Sequence, residues 1–89
     1  MTRRNELPSR SRDDRALRAV VAHADATAAI PRFVLERYVI RATGSRALAH
    51  RAIGIAITIG LLSPEQARLG GKQYDGLRLT VAGQSFINQ

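Results

Sequence analysis

The sequence predicts a mainly α domain with a small β-hairpin: three helices, then two strands. Three observations carry that reading. Apolar residues recur at helical spacing through the first half of the chain. A basic segment through Arg46, His50 and Arg51 follows a Gly44-Ser45 break and runs into Gly60-Leu61-Leu62. After a gap of about hairpin length comes Asp75-Gly76-Leu77-Arg78-Leu79-Thr80-Val81-Ala82-Gly83, a strand closing in Leu-Thr-x-x-Gly.

The first helix is expected over about residues 12–24. Ser11-Arg12-Asp13-Asp14 is a capping-box-like start, with two acids in the first turn. Leu17, Val20, Val21 and Ala24 then form one apolar stripe. Residues 1–10, polar and basic with Pro8, read as a disordered arm. Asp25 to Ile30 is a short connector. Pro31, whose missing N–H is not needed at a helix start, opens a second helix over about 31–42. Val34, Leu35, Tyr38, Val39 and Ala42 fall on its inner face, and Arg37 and Arg41 on the other. Phe33 and Ile40 also fall outward, as if to meet another element or a second subunit.

Gly44 can take a positive φ and Ser45 can cap the next helix. Residues 45–60 admit two patterns. As a strand, Ile53, Ile55, Ile57 and Ile59 alternate with Gly54, Ala56, Thr58 and Gly60. As a helix, Ala49, Ala52, Ile53 and Ala56 turn inward, while Arg46, Ala47, His50, Arg51, Gly54 and Thr58 face out. Period alone does not decide; the Ser45 cap and the Ala-rich start favour the helix. Leu61-Leu62 begins the first strand, Gly70-Gly71 marks the turn and Leu77-Arg78-Leu79 is the return strand. Ser63-Pro64-Glu65-Gln66 competes as a single helical turn over 64–69. Thr80 is placed to cap a last short helix over about 81–88.

Eighty-nine residues make one domain, able to bury only about 60–65% of its unfolded surface. Nothing reaches the roughly 18 apolar residues of a membrane span, and no apolar run follows the basic N-terminus, so neither membrane partner nor signal peptide is expected. Cysteine is absent, which excludes disulfides and thiolate metal sites. The net charge is +7, and the excess sits in residues 1–18 (+3) and 32–51 (+4). Thirteen of the fourteen cations are Arg, whose planar fork suits phosphates and guanine edges. There is no Gly-x-Gly-x-x-Gly, no Walker loop and no Gly-x-Ser-x-Gly. His23 and His50 sit in different elements and the carboxylates are few and scattered. The expectation is a protein without catalytic residues, metal or cofactor.

A basic helix and a basic hairpin end are instead the parts of a double-stranded DNA reader. The N-terminal residues of such a helix meet base edges in the major groove. Arg46, His50 and Arg51 supply donors, Ser45 the cap, and Ala47 a small residue where the groove is tight. Arg37 and Arg41, one turn apart, are candidate phosphate positioners. Arg68, Lys72 and Gln73 fall at the hairpin end, within reach of a phosphate or the minor groove.

Over residues 33–84 the chain resembles the winged helix-turn-helix regulators of bacteria, notably the MarR and PadR types. The likeness lies in the Gly44-Ser45 break, a helix ending in Gly60-Leu61-Leu62, and Leu79-Thr80-Val81-Ala82-Gly83 after the hairpin. It implies a recognition helix over 45–59, a wing over 62–79, and a compact, repressor-like transcription regulator acting in the cytoplasm on the nucleoid. Two departures stand out. The second half of the recognition helix is nearly all apolar, where those families usually place charges, and their long dimerisation helices have no room here. A homodimer is nonetheless expected from Phe33, Ile40 and the Ile-rich 53–59 stretch. The alternative reading is a small protein-interaction module with no DNA contact, its charge serving only solubility.

Overall fold

The computed structural model describes residues 3–88, with side chains from Arg12 onward. The elements run α1 (Arg3–His23), β1 (Ile30–Pro31), α2 (Arg32–Thr43), α3 (Arg46–Thr58), β2 (Leu62–Leu69), β3 (Lys72–Leu79) and α4 (Val81–Ile87). The strands form one antiparallel sheet in the order β1-β3-β2. Four helices and a three-stranded sheet are compatible with a winged helix; beyond three helices and a hairpin the fold has α4, the short helix expected after Thr80, and β1, which the sequence reading did not include.

The core is where the helical stripes meet. Ala16, Val20 and Val21 of α1, Leu35 and Val39 of α2, and Ala49, Ala52, Ile53 and Ala56 of α3 are buried together with Leu61, Leu62, Leu77 and Leu79. The α3 set is the inner face that the helical reading of residues 45–60 requires, so that stretch is helix and not strand. Leu17 and Ala24 of the predicted α1 stripe pack against this core while half-buried. The helix itself begins at Arg3, well before the cap-like Ser11. The side chains of the expected basic arm lie outside the described residues.

Helix α2 is rotated relative to its apolar pattern. Leu35 and Val39 are buried as expected, but Tyr38 and Ala42 are exposed and Val34 is only half-buried. Ile40, predicted outward, packs against the core instead. The rotation brings Glu36 partly inside, where Arg32 Nε binds its carboxylate at 3.0 Å. Tyr38 stacks on His23 with ring centroids 5.0 Å apart. Phe33 does meet another element, lying edge-on to Tyr74 of β3 at 5.1 Å.

The junctions follow local chemistry. Gly44 (φ 76°) ends α2, and the Ser45 hydroxyl accepts the Leu48 N–H at 3.1 Å to start α3. At the other end of α3, Gly60 (φ 85°) takes the left-handed conformation. The Leu61 N–H bonds Ala56 O at 2.8 Å and the Gly60 N–H bonds Ile57 O at 3.2 Å, the paired bonds of a Schellman motif. β2 and β3 join through Gly70 and Gly71, both at positive φ (61° and 81°), as a two-residue type I′ turn requires. Pro64 lies in β2, not in a helical turn. An edge strand tolerates a missing N–H, and β2 and β1, which holds Pro31, are the two edges.

The Leu-Thr-x-x-Gly run locks the hairpin to α3. Leu79 pairs with Leu62 across the ladder and is buried. The Thr80 N–H bonds Leu61 O at 3.0 Å. Its hydroxyl donates to Gly60 O at 2.6 Å and accepts the Gly83 N–H at 3.0 Å, capping α4. Gly83 has no room for a side chain: a Cβ would lie 2.4 Å from both Leu61 O and Leu79 Cδ1.

Two identical substitutions should therefore act in opposite directions. Gly83→Ala is expected to cost about 2 kcal/mol through overpacking. Gly54→Ala should add about 0.5–1 kcal/mol, because a Cβ on Gly54 meets nothing within 4 Å and Ala is the better helix former. Urea denaturation of the two variants checks both signs.

Candidate nucleic-acid interface

Burying Ala49, Ala52, Ile53 and Ala56 on one side of α3 fixes what the other side presents. Arg46, Ala47, His50, Arg51 and Thr58 are exposed, and Gly54 is half-exposed with open space above it. At 100° per residue, Ala47, Arg51, Gly54 and Thr58 lie along the middle of this face, and Arg46 and His50 border it. Around Arg51 the middle is low: Ala47 and Gly54 have no side chain beyond Cβ, and the Thr58 hydroxyl bonds back to Gly54 O at 2.9 Å.

Two of the donors, Arg51 in the middle and His50 at the border, approach carboxylates of neighbouring helices. On the α1 side, Arg51 Nη2 donates to Asp13 Oδ1 at 2.8 Å. On the α2 side, His50 Nδ1 is 3.7 Å from Glu36 Oε2, the oxygen that also accepts from Arg32. Arg46 is not so held. With Arg37, Phe33, Glu36 and Ile40 it lines a shallow depression between α2 and the start of α3. Arg41 is exposed on the last turn of α2.

The remaining candidates sit apart from these. Arg68 faces Gln73 across the ladder, and Lys72 pairs with Leu69, which places all three of them beside the Gly70-Gly71 turn and exposed. Strands rising about 3.3 Å per residue carry the turn about 23 Å from Leu62. The hairpin is braced along its length, by the Phe33–Tyr74 contact toward the turn and at mid-strand by Gly76, where a Cβ would come within 2.6 Å of Ala67 Cβ. Among the described residues, Arg12, Arg15, Arg37, Arg41, Arg46, Arg68 and Lys72 have no carboxylate within 4 Å, whereas Arg18, Arg32, Arg51 and Arg78 are paired.

The site thus contains two residues that the sequence reading passed over, Asp13 and Glu36. Glu36 had a local signal, the i,i+4 spacing from Arg32. Asp13 had none, since it stands 38 positions from Arg51. No group of three His, Asp or Glu among the described residues is placed to hold a metal ion. No described helix is long and apolar enough to cross a membrane. The chain matches no protein-family model, no curated protein and no solved structure.

The Asp13–Arg51 pair is open to water, with the side chains 42% and 56% exposed. Its coupling energy should accordingly be below about 1 kcal/mol. A double-mutant cycle of Asp13→Ala and Arg51→Ala, read by urea denaturation, checks this. A larger coupling would mean that the pair holds α1 and α3 together and does more than orient the guanidinium.

Proposed function

We propose that this chain is a winged helix-turn-helix DNA-binding protein of compact, repressor-like type. In this reading α3 enters the major groove and the β2–β3 hairpin lies on the backbone or in the minor groove. The observation that carries it is the outer face of α3: a capped helix whose buried side is wholly apolar and whose open side offers Arg46, His50 and Arg51 around small Ala47 and Gly54. A helix in a groove needs donors set among small residues, and this face offers both. Arg46 and Arg51 can grip guanine O6 and N7. Arg37 and Arg41 stand where phosphate positioners are needed, and Arg68, Lys72 and Gln73 arm the hairpin end. The resemblance of Gly60-Leu61-Leu62 and Leu79-Thr80-Val81-Ala82-Gly83 to MarR- and PadR-type regulators supports the same assignment.

The test is fluorescence anisotropy on a duplex selected from a random pool and on a random duplex, each titrated with salt. With Arg37, Arg41, Arg68 and Lys72 as the phosphate contacts, the expected slope of log K against log salt is about −3.6, at about −0.9 per phosphate. Arg46→Ala should cost about 1–3 kcal/mol on the selected duplex and less on the random one. Lys72→Ala should weaken both alike and reduce the slope by about one. A chain that fails to bind any duplex at low salt is not a DNA reader.

A further inference from the structure

Of the three donors on the open side of α3, Arg51 alone is held by a carboxylate at hydrogen-bond distance. Its Nη2 donates to Asp13 Oδ1 at 2.8 Å, across 38 positions of sequence. His50 Nδ1 stays 3.7 Å from Glu36 Oε2, an oxygen that already accepts from Arg32. Arg46 has no carboxylate within 4 Å among the described residues. The pairs Arg18–Asp14 and Arg32–Glu36 each lie within one helix at i,i+4. The Asp13–Arg51 bond instead joins α1 to the middle of the open face of α3, where only Ala47 and Gly54 flank the arginine along the helix.

We propose that Asp13 is a positioning residue that sets how strictly α3 discriminates between DNA sequences, an inference that rests on the DNA-binding reading above. An unheld arginine samples many rotamers and meets a phosphate as readily as a guanine edge. The guanidinium has two edges that present paired N–H groups, Nη1–Nη2 and Nε–Nη2, and one hydrogen of Nη2 belongs to each. A single bond from Nη2 to Asp13 therefore occupies one edge and leaves the other for the O6 and N7 acceptors of a guanine. The carboxylate holds the guanidinium in one pose without consuming the donors that read a base. Ordering it before binding lowers the cost of that contact. Asp13 also offsets the charge of Arg51 toward phosphates, which supply the sequence-independent part of affinity. Both side chains stay open to solvent, Arg51 at 56% and Asp13 at 42%, so a duplex can reach the remaining edge. Arg12 and Arg15, exposed on the same stretch of α1, attract phosphate whatever stands at position 13 and add no sequence preference.

The experiment measures the affinity of the full chain for the selected and the random duplex across a salt titration. Asp13→Asn keeps an acceptor oxygen and removes the charge, whereas Asp13→Ala removes both. Asp13 lies well inside α1, so both variants should keep the wild-type circular dichroism spectrum. For Asp13→Ala the slope against log salt on the random duplex should steepen by about 0.9, because Arg51 is released to a phosphate. Its ratio of selected to random affinity should fall about fivefold, the upper range for a solvent-exposed pair. Asp13→Asn should lower the ratio less. On an Arg51→Ala background, Asp13→Ala should leave the ratio unchanged, because Asp13 acts only through Arg51. A ratio that Asp13→Ala does not move, or lowers equally with and without Arg51, overturns the proposal and leaves the DNA reading standing. A wild-type chain that binds no duplex, or prefers none, overturns both.

Discussion

The Thr80 hydroxyl is the point on which the arrangement of this protein turns. It donates to the carbonyl of Gly60 at the end of α3 and accepts the N–H of Gly83 in the first turn of α4. The backbone N–H of the same residue bonds Leu61 O. One residue thus joins the end of α3, the end of β3 and the start of α4. The Schellman turn at Gly60 aims the chain into β2, and the missing side chain of Gly83 lets α4 come against the Leu61 carbonyl. With this junction closed, the hairpin projects from a fixed place relative to α3, and the two basic regions keep a constant separation.

Helix α3 divides into halves with different chemistry on one continuous buried stripe. Its first half is capped by Ser45 and carries Arg46, His50 and Arg51, two of which are drawn toward carboxylates on adjacent helices. Its second half offers Ile55 and Ile59 to solvent. Asp13 and Asp14 pair with Arg51 and Arg18, and the described cations with no carboxylate within 4 Å are spread over α1 (Arg12 and Arg15), α2, the start of α3 and the hairpin end.

Much of this was legible in the sequence wherever the signal was local. The buried residues of α3 follow from a helical period once the Ser45 cap is accepted, and the hairpin turn follows from Gly70-Gly71. Thr80 announces the cap of α4. What escaped was non-local. β1 is only Ile30–Pro31, a strand solely because Leu77 and Gly76 lie beside it. Pro64 resembled a helix start because nothing local reveals that β2 is an edge. The rotation of α2 was set by what it packs against, and its own stripe of Val34, Tyr38 and Ala42 pointed elsewhere. Every candidate site residue but Ser45, the cap of α3, is in a described element, but the carboxylates that approach Arg51 and His50 come from other helices and left no pattern near them.

Selection from a random duplex library at near-physiological salt, followed by sequencing, tests the proposed role of α3 most directly. The account predicts enrichment of a defined motif, as two half-sites about 34 Å apart if the chain binds as a dimer. A library recovered without enrichment, or no recovery of DNA at all, would contradict a helix that reads bases.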